Sequence, residues 1–292
     1  MTHNCLCIFG EVLFDHFPDG KRILGGAPFN VAWHLQAFNQ APCFISRVGN
    51  DPESKMVKQA MDNWGMRTDK LQIDLNRPTG QVNVNFINGE PEYDIAKHCA
   101  YDAIAVEPKG YDCHLLYHGS LALREDISRQ ALESIKSSRP DIVFIDVNLR
   151  SPWWQKTQIL NMLDGADWVK LNTDELNLLD TSDQQGIAKG KQFLNKYNLK
   201  GLLITQGAAG AELITSNDEH FTVQPTENIV VTDTVGAGDA FTSVMIMGFA
   251  NNWPLDITLE RAQHFASSVV TQRGATVSDP SFYLAFIDNW KL

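Results

Sequence analysis

The sequence has no run of about 18 apolar residues, so it predicts no membrane-spanning helix. Positive charge is scarce, because 24 lysines and arginines stand against 35 acidic residues. The resulting formal net charge of −11 argues against nucleic acid or an anionic membrane as a binding partner. Residues 1–15 contain Glu11 and no basic segment, so we expect no signal peptide. No internal repeat, low-complexity tract or long linker interrupts the chain.

Cysteine is also sparse, with five residues and no Cys-x-x-Cys pair. An odd number without that spacing makes a disulfide framework or a metal site the less favoured interpretation. Cys5 and Cys7 alternate on a predicted strand, so we expect them to be small, buried, hydrophobic side chains. Together with Cys43, Cys99 and Cys113 they are expected to be free thiols, which fits a cytoplasmic location.

A chain of 292 residues, 43% hydrophobic and 20% charged, has the size and composition of one large folded domain with room for a small appendage. Short apolar strands alternate with helical segments, which predicts an α/β fold with a mainly parallel sheet covered by helices on both faces. The predicted strands are 6–14, 43–48, 114–118, 141–147, 168–171 and 202–205, with a further β-prone run at 228–231. The predicted helices are those that begin at Pro28 and Pro52 and the segments 124–137, 156–163, 173–179, 183–196, 240–250 and 255–271.

Residues 79–97 follow a different pattern. Polar and apolar side chains alternate over 81–86, and Asn88-Gly89 predicts a turn, as in a hairpin with one solvent-facing side. Asp19-Gly20 predicts a second hairpin turn within 12–24. The two segments together predict a small sheet beside the main domain, although the residues alone also fit a hairpin without a functional role.

Polar residues follow three of the predicted parallel strands, at 146–150, 172–175 and 205–207. Because parallel strands place their carboxyl ends at one edge of a sheet, these residues together predict one ligand-binding cleft. Each cluster also has a purely structural interpretation. The first is then a turn with a surface ion pair, the second a capping box from Asn172 to Glu175, and the third ordinary turn chemistry.

The stretch 232–241 combines an anion site with an acid. The segment Gly236-Ala237-Gly238 precedes a predicted helix, whose first-turn N–H groups predict a phosphate site. Asp239 would repel a bound phosphate, whereas phosphoryl transfer requires a base that takes the proton from the attacking hydroxyl. The alternative is that Asp239 only stabilises the helix as a first-turn acid. The dinucleotide fingerprint is incomplete because position 241 is Phe, and no Gly-Lys-Ser/Thr of a Walker loop follows.

Residues 233–241 resemble the C-terminal signature of the ribokinase-like (phosphofructokinase B type) carbohydrate kinases. Gly25-Gly26-x-x-x-Asn30 resembles the sugar-site motif of that family, and Asn172-x-x-Glu175 resembles its Asn-x-x-Glu motif. The resemblance covers essentially the whole chain. It implies one ribokinase-like, three-layer α/β/α domain over 1–292, with a mainly parallel sheet and a small β-sheet lid formed by the segments at about 12–24 and 79–97.

The resemblance also implies roles for individual residues. Asp239 would be the catalytic base. The amides of Gly236, Ala237 and Gly238 would form an anion hole, and the side chain of Arg150 would bind the phosphoryl group. The implied sugar-binding residues are Asp15, Gly25, Gly26 and Asn30. The implied ATP-binding residues are Lys170, Asn172, Thr205, Gly207, Gly274 and Ala275. The implied metal sites are Glu175 for Mg²⁺ through water, and Asp233 and Val235 for the K⁺ that many members bind.

The implied activity is transfer of the γ-phosphoryl group of ATP to a sugar hydroxyl, with magnesium. The segments 9–15, 25–32, 78–80 and 147–150 are most similar to bacterial and plant fructokinases, although Phe29 departs from the small residue usual there. The alternative substrates are 2-keto-3-deoxygluconate, ribose and a nucleoside. The expected partners are a small sugar and ATP, without nucleic acid or a membrane, and with a homodimer through the outer face of the lid.

Two other classes of function predict different sequences. A catalytically silent sugar- or nucleotide-binding regulator on the same fold is expected to have lost its base, and Asp239 is present. A dinucleotide-dependent oxidoreductase predicts Gly-x-Gly-x-x-Gly after the first strand, and Gly10-Glu11-Val12 does not supply it. The sequence therefore favours the kinase.

Overall fold

Two sheets and the helices that cover the larger one make up the fold. The computed structural model of the chain describes residues 5–87, 90–106, 111–226 and 229–292. Its strands are β1 (Leu6–Phe9), β2 (Leu13–His16), β3 (Arg22–Gly25), β4 (Cys43–Gly49), β5 (Leu71–Asp74), β6 (Gly80–Ile87), β7 (Glu90–Ile95), β8 (Leu115–His118), β9 (Ile142–Asp146), β10 (Trp168–Asn172), β11 (Gly201–Thr205), β12 (Ala211–Thr215) and β13 (His220–Val223). Its α-helices are α1 (Ala27–Ala37), α2 (Pro52–Asn63), α3 (Asp126–Lys136), α4 (Lys156–Met162), α5 (Thr173–Leu179), α6 (Gly186–Lys196), α7 (Ala237–Ala250), α8 (Leu255–Val269) and α9 (Ser281–Trp290).

The larger sheet has the strand order β13-β12-β11-β10-β9-β8-β1-β4-β5. Neighbouring strands from β11 to β5 run parallel, whereas β12 and β13 pair antiparallel. Alternate side chains of each strand point to opposite faces. On β1, Leu6 and Ile8 pack with α1, α2, α7, α8 and α9, while Cys7 and Phe9 pack with α3 to α6. The predicted three-layer α/β/α fold is therefore confirmed.

The smaller sheet has the strand order β3-β2-β6-β7. β2 pairs antiparallel with β3 and parallel with β6, and β6 pairs antiparallel with β7. These strands come from the two segments that the sequence assigns to a lid, whereas the lid role itself stays a prediction. The predicted turn at Asn88-Gly89 lies outside the described residues.

Two predicted strands differ in the structure. The strand predicted over 6–14 is divided between the two sheets. Gly10 N–H donates to Ile45 O in the main sheet at 3.1 Å, whereas Leu13 pairs with Gly80 in the small sheet. The β-prone run at 228–231 forms no strand over its described residues. Val230 and Val231 are 80% and 55% exposed there, so these β-branched side chains lack the packed surface that favours a strand.

The cysteines also depart from the prediction. Cys7 and Cys113 form a disulfide, so the expectation of five free thiols is wrong for this pair. The topology brings the two cysteines near each other, because β1 and β8 are neighbours and Cys113 lies just before β8. The two cysteines are 106 residues apart, and no short spacing in the sequence marks them as partners. Cys5, Cys43 and Cys99 are free.

The helices give no sign of a membrane span. Over the described ranges of the chain, none of them combines the length and the apolar character needed to cross a bilayer.

Candidate active site

The three polar clusters lie at one edge of the main sheet. β9, β10 and β11 are adjacent and parallel, with Asp146 in register with Lys170 and Asn172 in register with Thr205. The segments that follow these strands therefore leave the sheet at the same edge, as the sequence predicts. Gly207 opens a short 3-10 turn just after β11 and is exposed.

The turn before α7 is built as an anion site requires. Gly236 is the N-cap residue in the left-handed region, with φ of 80°, and a Cβ there would lie 2.4 Å from Ala275 Cα. The first N–H groups of a helix have no acceptor within it and carry partial positive charge. Ala237 N–H reaches Thr234 O at 3.3 Å, so one of the three amides expected in the anion hole already has an acceptor.

Asp239 lies in the first turn of α7, and its Oδ2 accepts a hydrogen bond of 2.8 Å from the side-chain amide of Asn30. Burial raises the pKa of Asp239 to about 6, and the negative charge of Asp146 also raises it. The Asn30 bond, Lys170 and Arg150 lower the pKa in part. A carboxylate with this pKa is deprotonated at neutral pH and can still accept a proton.

Two further carboxyl groups lie near the exposed guanidinium of Arg150. Burial raises the pKa of Asp15 to about 6, and Arg150 lowers it in part. Asp15 is on β2, and a Cβ at Gly25 would lie 3.9 Å from its Oδ2. Burial likewise raises the pKa of Glu11 to about 7, with Arg150 lowering it and Asp239 raising it. The predicted site residues Asp15, Asp239 and Arg150 thus share one electrostatic environment.

Glu11 is a further buried carboxyl group at this edge, and its residue type and spacing did not mark it in the sequence. It is 3% exposed, and its Oε2 is buried without a hydrogen-bond partner among the described residues. Its position two residues after β1, at the same edge of the sheet as the other polar clusters, is the signal that could have identified it.

Lys170 is buried beneath the first turn of α7. Its Nζ lies 2.6 Å from Asp146 Oδ2, and a Cβ at Gly238 would lie 3.5 Å from the same Nζ. The Thr242 hydroxyl lies 3.2 Å from Asp146 Oδ2 and 2.8 Å from Gly238 O, and it can donate to one of them at a time. This contact with Asp146 was not predicted. Lys170 therefore packs between Asp146 and the first turn of α7 in this structure.

Asn172 and Glu175 form a capping box, which is the structural interpretation of their spacing in the sequence. Asn172 Oδ1 accepts the Glu175 N–H at 2.9 Å, and Glu175 Oε2 accepts the Asn172 N–H at 2.8 Å. The other oxygen, Oε1, accepts the Leu149 N–H at 2.6 Å. Burial raises the pKa of Glu175. Its carboxylate therefore ties the segment that carries Arg150 to the start of α5.

The loop at 272–275 is tied to the turn before α7. Asp233 Oδ2 accepts the Gly274 N–H at 2.9 Å, and Asp233 Oδ1 accepts the Val235 N–H at 3.0 Å. His34 is a buried residue of α1, and its Nε2 lies 3.1 Å from Ala275 O. Burial lowers the pKa of His34 to about 4, so the imidazole is neutral at physiological pH. The sequence does not predict this contact.

Known proteins resemble this chain in sequence and in architecture. The family model for pfkB family carbohydrate kinases matches residues 8–281. Fructokinase of Klebsiella pneumoniae is 31% identical over 299 aligned residues, which cover 94% of this chain and 95% of that protein. The crystal structure of fructokinase from Xylella fastidiosa with bound ATP matches with a TM-score of 0.82 and 21% identity, over 99% of both chains. A fructokinase double mutant from Vibrio cholerae O395 with fructose, ADP and a potassium ion matches with a TM-score of 0.80 and 23% identity, over 97% of this chain and 98% of that one.

Proposed function

The chain belongs to the pfkB family of carbohydrate kinases, and on this premise we propose that it transfers the γ-phosphoryl group of ATP to a hydroxyl of fructose. The observation that supports the chemistry most directly is the position of Asp239. It lies beside the helix N-terminus that suits a phosphate, and it is bonded to Asn30 of the predicted sugar motif. Fructose as the substrate is supported by the fructokinase of Klebsiella pneumoniae at 31% identity.

Asp239 takes the proton from the attacking sugar hydroxyl. Asn30 holds Oδ2 of the carboxylate, which leaves Oδ1 to face the sugar. Asp15, Gly25, Gly26 and Asn30 bind the sugar, because a carboxylate and an amide fix the direction of hydroxyl hydrogen bonds. At Gly26, φ is 111° and a Cβ would lie 2.7 Å from Glu11 O, so the backbone passes too close for a side chain.

The start of α7 stabilises the negative charge of the transferred group. In this proposal the N–H groups of Gly236 and Gly238 and the positive end of the helix dipole would bind the phosphoryl oxygens, whereas Ala237 N–H contacts Thr234 O at 3.3 Å. Arg150 has an exposed guanidinium that can bind two phosphoryl oxygens at once. When bound, MgATP supplies the phosphoryl group and the cation that neutralises its charge.

The predicted nucleotide and metal residues fit these groups to different degrees. Lys170, Asn172, Thr205, Gly207, Gly274 and Ala275 are the residues that would bind ATP. Both carboxylate oxygens of Glu175 already accept backbone N–H groups, which favours contact with Mg²⁺ through water. Both oxygens of Asp233 are similarly engaged, so backbone carbonyls near Asp233 and Val235 are the better candidates for K⁺.

The small sheet is the candidate lid. Its strand β2 carries Asp15, so movement of the sheet and binding of the sugar are physically connected. Closure would keep water from the γ-phosphoryl group and limit ATP hydrolysis. The proposed homodimer would use the outer face of this sheet, where Asn83 and Asn85 are exposed, and light scattering of the purified protein tests it.

The experiment that tests the function is ADP release from MgATP with a panel of sugars, for the wild type and Asp239→Asn. We expect turnover stimulated by fructose, and a loss of about 10²–10⁴-fold in kcat in the variant. Turnover with ribose, 2-keto-3-deoxygluconate or a nucleoside instead would retain the mechanism and refute fructose. Sugar binding without any turnover would refute the kinase and favour a silent binder.

A matched control separates the base from a helix-stabilising acid. Asp256 is an exposed first-turn acid of α8, so Asp256→Asn removes the same kind of helix contact away from the site. We expect near wild-type kcat for Asp256→Asn. Equal losses in the two variants would show that Asp239 only stabilises its helix.

A further inference from the structure

Four of the five cysteines converge at the end of the sheet opposite the candidate active site. Cys5 precedes β1 and Cys7 lies on it, so the two side chains, two residues apart, lie on one face of the strand. Cys43 is the in-register neighbour of Cys7 on β4, and its side chain lies on the same face. Cys113 precedes β8 on the other side of β1 and is bonded to Cys7. All four pack in the hydrophobic cluster beneath α3 to α6.

The sulfur atoms are close enough to share a ligand. The Sγ atoms of Cys5, Cys7 and Cys43 all lie within 4.8 Å of one another. Cys113 Sγ lies outside this group and is bonded to Cys7 Sγ, so it moves away from Cys7 Sγ when that bond is cut. Four thiolates around a zinc ion at a Zn–S distance of about 2.3 Å have S···S distances of about 3.8 Å, so the three grouped sulfur atoms need only small shifts. Cys7, Cys43 and Cys113 are buried, while Cys5 is half-buried and gives access from solvent.

We propose that Cys5, Cys7, Cys43 and Cys113 form a four-thiolate site for a thiophilic cation such as Zn²⁺ when the Cys7–Cys113 disulfide is reduced. Soft thiolate ligands select this class of cation over magnesium or potassium, which prefer oxygen. The site is separate from the proposed kinase site, because the cysteines lie at the start of β1, β4 and β8 and the kinase residues follow the ends of their strands.

The disulfide and the metal site are alternative states of the same sulfur atoms. Reduction of the Cys7–Cys113 bond by an external dithiol gives two protein thiols and converts the dithiol into its own disulfide. Binding of the cation then releases the thiol protons to solvent, since the thiolate is the metal ligand. In the oxidised protein Cys7 and Cys113 have no thiolate to offer, so the tetrahedral set is incomplete.

Cobalt(II) is the probe of choice, because thiolate ligation to cobalt gives a charge-transfer absorption that oxygen ligands at a magnesium site do not give. The full chain is reduced with a dithiol, desalted without oxygen and titrated with Co²⁺. We expect the thiolate-to-cobalt band to saturate at one equivalent and to disappear when Zn²⁺ is added. The same titration of the oxidised protein, with the disulfide intact, is expected to give no such band.

Substitutions identify the ligands. Cys5→Ser and Cys43→Ser are expected to abolish the one-equivalent band, whereas Cys99→Ala, at a buried free cysteine outside the group, is expected to keep it. Circular dichroism of each variant checks the fold. The proposal is overturned by the absence of a band in the reduced wild type, by a band of equal strength in the oxidised wild type, or by an unchanged band in folded Cys5→Ser.

Discussion

The side-chain amide of Asn30 donates a hydrogen bond of 2.8 Å to Oδ2 of Asp239, between residues 209 positions apart in the sequence. Asn30 lies in the first turn of α1 and Asp239 in the first turn of α7. One turn further along α1, His34 contacts the carbonyl of Ala275 at 3.1 Å. Helix α1 therefore holds the predicted sugar residue, the proposed base and the loop proposed for ATP in one unit.

Asn30→Ala should shift the pH dependence of the kinase. Burial raises the pKa of Asp239 to about 6, and the bond from Asn30 counteracts that increase by stabilising the charged carboxylate. Without the bond the pKa rises further, and the acid limb of kcat/KM against pH moves to higher pH, because only the deprotonated form is a base. Gln36→Ala, on the same helix, should leave the limb in place. An unmoved limb in Asn30→Ala would contradict the assignment of this pKa to Asp239.

Lys170→Met should destabilise the fold strongly. The Lys170 and Asp146 side chains are 8% and 4% exposed and 2.6 Å apart, so the substitution leaves a buried carboxylate without its cation. We expect a loss of about 3–5 kcal/mol in the free energy of unfolding, measured with urea. The double variant Lys170→Met/Asp146→Asn should recover part of it, because the uncompensated charge is gone.

An exposed ion pair provides the control for this prediction. Lys191 and Asp218 are 2.8 Å apart, with side chains 40% and 85% exposed. Lys191→Met should leave the unfolding midpoint almost unchanged, because solvent screens such a pair. An equally small loss of stability in Lys170→Met would show that the ion pair of Lys170 with Asp146 does not stabilise the first turn of α7.

Gly236→Ala should impair ATP binding more than it impairs folding. The new Cβ would lie 2.4 Å from Ala275 Cα, so the loop proposed for ATP must move. Gly165→Ala is the control. Gly165 has a φ of +73°, close to the +80° of Gly236, but a Cβ added at Gly165 would have no atom within 4 Å. Both variants carry the left-handed penalty of roughly 1–2 kcal/mol. Only Gly236→Ala should raise the KM for ATP, and equal KM values in the two variants would refute the contact's role.

Local features of the fold and of the site were predictable because their signals are short in range. Asp51 caps α2 in a capping box and Pro52 begins that helix, as residue type and spacing indicate. The clusters after β9, β10 and β11 follow from parallel strand order. The bond between Asn30 and Asp239 and the ion pair of Lys170 with Asp146 depend on which distant elements become neighbours. Hydrophobic periodicity carries no such information, so these partners required the structure.

Glu11→Gln should change how stability depends on pH. Burial raises the pKa of Glu11 from 4.5 to about 7 in the folded protein. Between these values the folded state holds a proton that the unfolded state has released, so the free energy of unfolding falls as pH rises through this window. The loss attributable to Glu11 is of the order of 3 kcal/mol at full deprotonation. Glutamine does not titrate, so the variant should lose less stability than the wild type between pH 5 and pH 8.

The difference between the two stability curves removes the contributions of titrating groups that do not interact with Glu11. Asp239, whose charge raises the pKa of Glu11, titrates differently in the variant and enters the difference. His34, whose pKa burial lowers to about 4, contributes a rise in stability with pH from about 4 to 6.5. That contribution is the same in wild type and variant, and it cancels in the comparison. Glu133, whose side chain is 69% exposed, provides the control: the stability curve of Glu133→Gln against pH should run parallel to that of the wild type. Urea unfolding at several pH values gives the curves. A Glu11→Gln curve that is also parallel would mean that Glu11 is charged in the folded protein across the whole range.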